Sequence, residues 1–332
     1  MSEKIVSKRA KMSATETAFK AILIVFGLLM PVIGFLVIRF QQSQVILDNG
    51  TIFAYSDIPI ILASMLLTHF LRRFFRDRVP FITTLIDDVK TPDLADRRVK
   101  AEDVASKAAS FIHYSTATGF YYWAFLQQDN LPICMGGQSN CDSLFSGFPY
   151  PQAALAVTHL KSYYLVQYGA NAYKLLYQAI CKRDSKTFYE YTLHHFLTTF
   201  LIGFSYSIHA LKMGSFVMLF HDASDVLFLL SRIYYELKGK KIWLMVPFNI
   251  MSIVGWVYCR LYVLPMCALR TLYFGKHFQE DYPYREEFFV VLWLEISMLT
   301  MLLFMNFVWT YLIFSSLFNL YTKKLFFLKK NK

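Results

Sequence analysis

The amino-acid sequence predicts an all-α fold, a polytopic membrane helical bundle of about eight transmembrane helices, and three observations carry that prediction. Of the 332 residues, 56% are hydrophobic and only 17% charged, with a mean hydropathy of +0.37, which is too apolar for an ordinary soluble domain. Eight segments approach the roughly 20 apolar residues that cross a hydrocarbon core of about 30 Å. Lys and Arg gather in alternate loops between those segments, as they do in loops retained in the cytoplasm. The 18% aromatic content suits both lipid contact and interfacial belts.

The first span is read at 21–38; no small-residue cleavage site follows it, so it is expected to be retained. Lys4, Lys8, Arg9, Lys11 and Lys20 precede it and place the N-terminus in the cytoplasm. In the lumenal loop expected beyond it, "NGT" at Asn49 to Thr51 has the form of a glycosylation acceptor, with a chance tripeptide too close to the membrane to be modified as the alternative. The second span, 53–71, is interrupted by Asp57 and runs into a basic loop, whose portion from Asp87 to Lys107 reads as a mixed-charge cytoplasmic connection. After the third span, 108–128, the stretch from Asp129 to Leu160 has no Lys or Arg, as a lumenal loop should. There, Cys134 and Cys141 in "CMGGQSNC" are read as a small disulfide in an oxidising lumen, with two free thiols as the alternative. Cys181, Cys259 and Cys267 read as packing residues.

The fourth span, 160–180, is interrupted by Lys174. The fifth, 192–211, and the sixth, 213–231, are separated only by a turn around Lys212 and Met213, so they form an antiparallel hairpin. The seventh runs 242–260, and the eighth, 289–320, is long enough to tilt or to begin at the interface. Basic clusters follow the fourth, sixth and eighth spans, which puts both termini on the cytoplasmic side. The net charge of +11 is thus accounted for by topology, without nucleic acid. The expected organisation is a first helix with its flanks (1–52), one membrane catalytic domain (53–320) and a basic tail (321–332) ending in "KKNK", which resembles a dilysine retrieval signal of the endoplasmic reticulum.

The hairpin carries the chemistry. His194 and His195 open the fifth span with Thr198 and Thr199 one turn on; His221, Asp222 and Asp225 sit in the sixth, with His221 and Asp225 stacked at i, i+4. Counted from Lys212, the two sets differ in depth by about 6 Å, within reach of tilt and long side chains. Five ionisable groups in hydrocarbon are too costly to be idle. A histidine suits general-base or nucleophile work, and a buried carboxylate fixes its tautomer. With one HH and one HD pair and the other histidines (His69, His113, His159, His209, His277) scattered singly, no metal is assigned.

At these residues "HHFLT", "FSY", "KMG" and "HDASD", in that order, resemble the Lag motif of the ceramide synthases, members of the TLC-domain superfamily. "FPYP", "YYLVQYG" at Tyr163 to Gly169 and "CRLYVLP" at Cys259 to Pro265 extend the resemblance, which runs from about Leu71 to Leu320; a homeobox-like insertion and an acidic tail are missing. The resemblance implies a TLC domain of six to seven core helices plus an N-terminal helix, in the endoplasmic reticulum membrane. It implies an enzyme, a sphingosine N-acyltransferase that moves a fatty acyl group from acyl-CoA to the amine of a sphingoid base such as sphinganine, giving ceramide and CoA. No cofactor is expected beyond acyl-CoA as co-substrate. Expected partners are acyl-CoA, the sphingoid base, membrane lipids, and a second synthase copy, a different synthase or an accessory subunit.

In that scheme His194 either attacks the thioester or acts as base on the amine, His195 and His221 shape the site or move protons, and Asp222 and Asp225 orient the imidazoles. Thr198, Ser224, Tyr206 and Arg260 are the expected substrate-binding residues. The alternatives are a non-catalytic TLC relative, lipid-sensing or translocon-associated, and a transporter that uses the buried charges as a proton relay.

Overall fold

The computed structural model describes residues 17–22, 24–25, 54–126, 159–185, 187–208, 210–266, 269 and 285–330. Most of the first expected span, Asn49, Cys134, Cys141, His209, Cys267 and His277 lie outside them. Eight helices are used below: α1 (Asp57–Arg76), α2 (Val79–Leu85), α3 (Leu94–Leu126), α4 (Leu160–Cys181), α5 (Phe188–Ser207), α6 (Leu211–Glu236), α7 (Ile242–Trp256) and α8 (Arg285–Lys330). A π-helical segment, Val257–Val263, continues α7 without a break. The fold is an all-α polytopic membrane bundle.

Four helices among the described residues are long and apolar enough to cross a membrane: Asp57–Arg76, Leu211–Glu236, Trp243–Met266 and Leu292–Ser315. The other expected spans in this region, within α3, α4 and α5, are helices of 33, 22 and 20 residues, long enough at 1.5 Å per residue but diluted by polar side chains. Of those polar groups, Gln167, Asn171 and His194 line the cavity described below, and His113, Lys174 and His195 do not.

Two boundaries differ from the sequence reading. The stretch 94–107, expected as loop, is the first part of α3: Ala101, Val104 and Ala105, at i, i+3 and i+4, are buried against Val79, Ile82 and Ile86. Helix α5 ends at Ser207 and α6 begins at Leu211, so Lys212 is already inside α6. The Ala210 N–H reaches back to the Ser205 carbonyl at 2.8 Å, which closes the turn earlier than the polar Lys212 suggested.

The core joins α4, α5 and α6 through Tyr163, Tyr164, Ile202, Phe216 and Leu219. A second cluster, Leu201, Phe204, Leu299 and Leu302, ties α5 to α8. Helix α1 packs along α4 because Gly169 has no side chain: a Cβ there would overlap the Ile61 carbonyl. A Cβ on Gly214 would likewise collide with the Tyr164 hydroxyl.

The ends of the bundle are chemically unlike. At the basic end, the segment after α2 meets the segment after α6: Ile86 bridges Leu237, Lys90 and Lys100 approach Glu236 at 3.8 and 3.5 Å, and Lys240 pairs with Asp87. The hydrogen bond from Lys240 holds the Asp87 carboxyl below the usual carboxylate range. At the opposite end, Asp57 is buried and accepts from the Ala54 N–H (2.8 Å), the Lys161 ammonium (2.9 Å) and the Tyr206 hydroxyl (3.0 Å).

Candidate active site

Helices α5 and α6 bring the two halves of the histidine and aspartate constellation to one cavity. His194 and Thr198 from α5 line it with His221, Asp222 and Asp225 from α6, Asn171 from α4, Tyr114 from α3 and Arg260 from the π-helical segment. The space at its heart is about 50 Å³, room for a few waters. The inner wall is apolar, with Leu201, Ile202, Leu299 and Leu302 beside the buried carboxyl of Glu295.

His194 is wedged by aromatic neighbours, its ring 4.9 Å from Trp309 in an edge-on contact and 5.4 Å from His195. Its Nδ1 is buried and has no hydrogen-bond partner among the described residues, and neither has the Thr198 hydroxyl. His221 is fixed differently. Its Nδ1 lies 3.0 Å from the Val217 carbonyl, which can only accept, so Nδ1 carries the proton. Nε2 is therefore the basic nitrogen, and it too is buried without a partner.

The two aspartates have different neighbours. Asp225 receives Arg260 Nη2 at 2.7 Å. The same guanidinium donates to Ser224 Oγ (2.8 Å), the His221 carbonyl (3.1 Å) and Asn306 Oδ1 (3.5 Å), and lies over the Trp256 ring. Arg260 is 1% exposed. The π-helical stretch that carries it widens the backbone ring, a device common at functional positions. Asp222 instead takes a hydrogen bond from Gln167 Nε2, which also donates to the Tyr163 hydroxyl at 3.0 Å.

Of the residues expected from sequence, His194, Thr198, His221, Asp222, Asp225 and Arg260 are brought together around the cavity. Arg260 is committed to protein partners and holds Asp225, and Ser224 serves as its acceptor while donating to the His221 carbonyl at 2.9 Å. His195 follows His194 on the helix but does not line the cavity, and its Nδ1 is also unpartnered. Tyr206, expected at the substrate, follows the cavity-lining Ser205 but does not line the cavity itself, and its hydroxyl donates to Asp57.

The sequence alone marks Lys174 as an interruption of the fourth span, and the structure shows it to complete a polar stripe on α4 with Gln167 and Asn171, at i, i+4 and i+7, all buried. That spacing inside a span was the signal, since three polar residues on one face of a membrane helix need something to face. Lys174 Nζ sits 4.1 Å from the centroid of Tyr114 and has no hydrogen-bond partner among the described residues. Its charge acts on both Asp222 and Asp225. Among the described residues no group of three or more His, Cys, Asp or Glu is arranged to hold a metal ion.

Comparison with known proteins bears on the same residues. Residues 103–315, more than half of the chain, match the family model of the TLC domain (TRAM_LAG1_CLN8). The chain belongs to the TLC-domain family. Its relatives include ceramide synthase 4 of Bos taurus, 38% identical over 89 residues, which are 27% of this chain and 22% of that protein. Ceramide synthase hyl-2 of Caenorhabditis elegans is 30% identical over 166 residues (46% of this chain, 47% of the relative), and ceramide synthase LOH2 of Arabidopsis thaliana 28% over 127 residues (38% and 41%). The matched regions span less than half the length of each of these three relatives. The α3–α8 region that builds the cavity is the region the TLC-domain model covers.

Proposed function

We propose that this TLC-domain protein is a ceramide synthase, which transfers a fatty acyl group from acyl-CoA to the amine of a sphingoid base in the endoplasmic reticulum membrane, with its basic end in the cytoplasm. The observation that carries the proposal is the cavity itself. A buried, unpartnered imidazole on α5 faces the same space as a second imidazole with a free Nε2 and two carboxylates on α6.

In the proposed reaction a ring nitrogen of His194 attacks the thioester carbonyl carbon. The C–S bond breaks, the His194 imidazole gives up its ring N–H proton to the departing sulfur so that CoA leaves as its thiol, and the acyl group is carried as an acyl-imidazole. The sphingoid nitrogen then attacks the same carbon, the amide C–N bond forms, and the imidazole is released. In this scheme His221 Nε2 accepts the proton that the amine loses and returns it to His194 as the acyl group departs, while Asp225, held by Arg260, and Asp222, held by Gln167, keep fixed negative charge beside the imidazoles. Both steps balance with the two substrates alone. Splitting one acyl transfer into two predicts ping-pong kinetics.

Membranes containing the protein, given sphinganine and a range of acyl-CoAs, are expected to form ceramide, and those containing His194→Ala to form none at equal protein level. Absence of ceramide from the wild type would instead support a non-catalytic TLC member, and full turnover by His194→Ala would remove the covalent route.

A further inference from the structure

A second cavity opens between α1 and α4 at the basic end. It measures about 340 Å³ and is lined by His69, Arg72, Arg73, Arg76, Asp77, Tyr173 and Tyr177, a size within the range of small-molecule sites. Three arginines face one carboxylate, and that carboxylate is weakly engaged: Arg73 meets Asp77 at 3.8 Å with both side chains more than half exposed, a pair that contributes little. Arg76 has no partner among the described residues.

Arginines at this end of a membrane helix are expected for topology and for the helix C-terminus. Those needs set the charge and nothing else. They do not account for the way this cavity is built. Arg72 is pinned from two directions, donating to Ser106 Oγ at 3.0 Å and lying 3.7 Å from the centroid of Tyr177. Tyr173 and Tyr177 stack on each other with centroids 6.1 Å apart, and the Tyr173 hydroxyl contacts His69 Nδ1 at 3.2 Å. The close α1–α4 packing that Gly169 permits keeps the arginine wall and the tyrosine wall together. One held guanidinium and two uncommitted ones beside aromatic faces suit a ligand that carries phosphates and a flat ring.

Along α4 the cavity lies close to the chemistry. Tyr173 is the immediate neighbour of Lys174 in the chain, and Asn171, which lines the central cavity, stands about 9 Å along α4 from Tyr177. The Arg72 charge acts on both Lys174 and His195. One elongated ligand can therefore present a reactive carbonyl at His194 and anionic groups at Arg72, Arg73 and Arg76.

We infer that the α1–α4 cavity binds the phosphate-bearing nucleotide of the acyl-CoA, with the pantetheine arm running past Lys174 toward His194. The inference rests on the proposed acyl transfer. Phosphate is also the chemistry of anionic lipid headgroups, and the test separates the two sources. The full chain is placed in nanodiscs of neutral phosphatidylcholine, and binding of CoA, dephospho-CoA and pantetheine is measured for the wild type and for Arg73→Ala/Arg76→Ala. These two side chains are exposed, so the variant is expected to fold. Wild-type protein should bind CoA roughly tenfold or more tightly than the variant does, and pantetheine should be bound equally weakly by both.

With active protein, the variant should show a raised KM for acyl-CoA with little change in kcat. Equal CoA binding by wild type and variant, or wild-type binding of pantetheine as tight as of CoA, would overturn the inference. So would a difference between the two proteins seen only as affinity for phosphatidylserine nanodiscs, which would make the cavity a lipid-headgroup site. Tight wild-type CoA binding without any ceramide formation would overturn the reaction and keep the cavity; ceramide formation with CoA binding indifferent to the arginines would do the reverse.

Discussion

Two buried polar clusters occupy the two halves of this bundle, and they are built on opposite rules. At the end away from the basic loops, Asp57 accepts from a backbone N–H, an ammonium and a phenol, all at 2.8 to 3.0 Å. The central cluster is left incomplete: His194 Nδ1, His221 Nε2, the Thr198 hydroxyl and Lys174 Nζ are buried without partners. Each such group costs about 1–3 kcal/mol when left unpaired. The contrast is between a carboxylate with three donors at 2.8 to 3.0 Å and a group of side chains left open in and beside one cavity. The closed cluster fastens helices together; the open one keeps nitrogen lone pairs and donors free for a ligand.

The largest effect expected from this contrast is on turnover. His194→Ala should lower N-acylation by roughly 10³-fold or more, measured as ceramide formed per protein. Its unfolding temperature should barely move, because the histidine makes no hydrogen bond through Nδ1 and its lost contact is chiefly with Trp309. A large fall in stability would mean that the open cluster is structural after all.

The next largest concerns the one closed element inside the open cluster. Arg260→Met leaves Asp225 charged, largely buried and unpaired, at a cost of about 3–5 kcal/mol read from thermal unfolding in detergent. Adding Asp225→Leu should recover most of that stability, since neither charge then remains, while ceramide formation stays lost. Recovery of activity with stability would show that Asp225 serves packing alone.

Much of the open cluster was legible in the sequence because its members are adjacent or one turn apart: His194 with Thr198, His221 with Asp225, on helices joined by a short turn. The covalent chain itself guarantees that such residues meet. What was not legible came from helices distant in sequence. Gln167 holds Asp222 from 55 positions away and Arg260 holds Asp225 from 35, and no local pattern announces either pairing. Tyr206 shows the converse error: it lies inside the motif stretch, yet α5 turns its hydroxyl to Asp57, 149 positions earlier. Lys174 and Asp57 look alike in sequence, each a single charge interrupting an apolar run. Only the packing separates them, since one is enclosed by partners and the other lies against a tyrosine ring.

Asp57→Asn tests the closed cluster. The amide keeps the shape but removes the charge facing Lys161, and the expected loss is about 2 kcal/mol, seen as a lower unfolding temperature. The KM for acyl-CoA should not change, because Asp57 lines neither cavity. A changed KM with unchanged stability would break the division of labour between the ends.

The smallest stability effect, and the sharpest test of the contrast, is expected for Lys174→Met. Both Lys174 and Asp57 are less than a tenth exposed, so burial alone predicts similar losses on removal of either charge. Pairing predicts otherwise. Lys174 makes no hydrogen bond and faces a tyrosine ring, so methionine of similar length keeps the stem packing and removes an ammonium whose desolvation is incompletely offset. The unfolding temperature should hold or rise, by the equivalent of roughly 1 kcal/mol at most. Activity should fall all the same, because the lysine charge acts on Asp222 and Asp225 beside the imidazoles. If Lys174→Met instead destabilises as much as Asp57→Asn while turnover is kept, then Lys174 belongs to the fastening of the bundle, and unpartnered burial is no guide to where this protein does its chemistry.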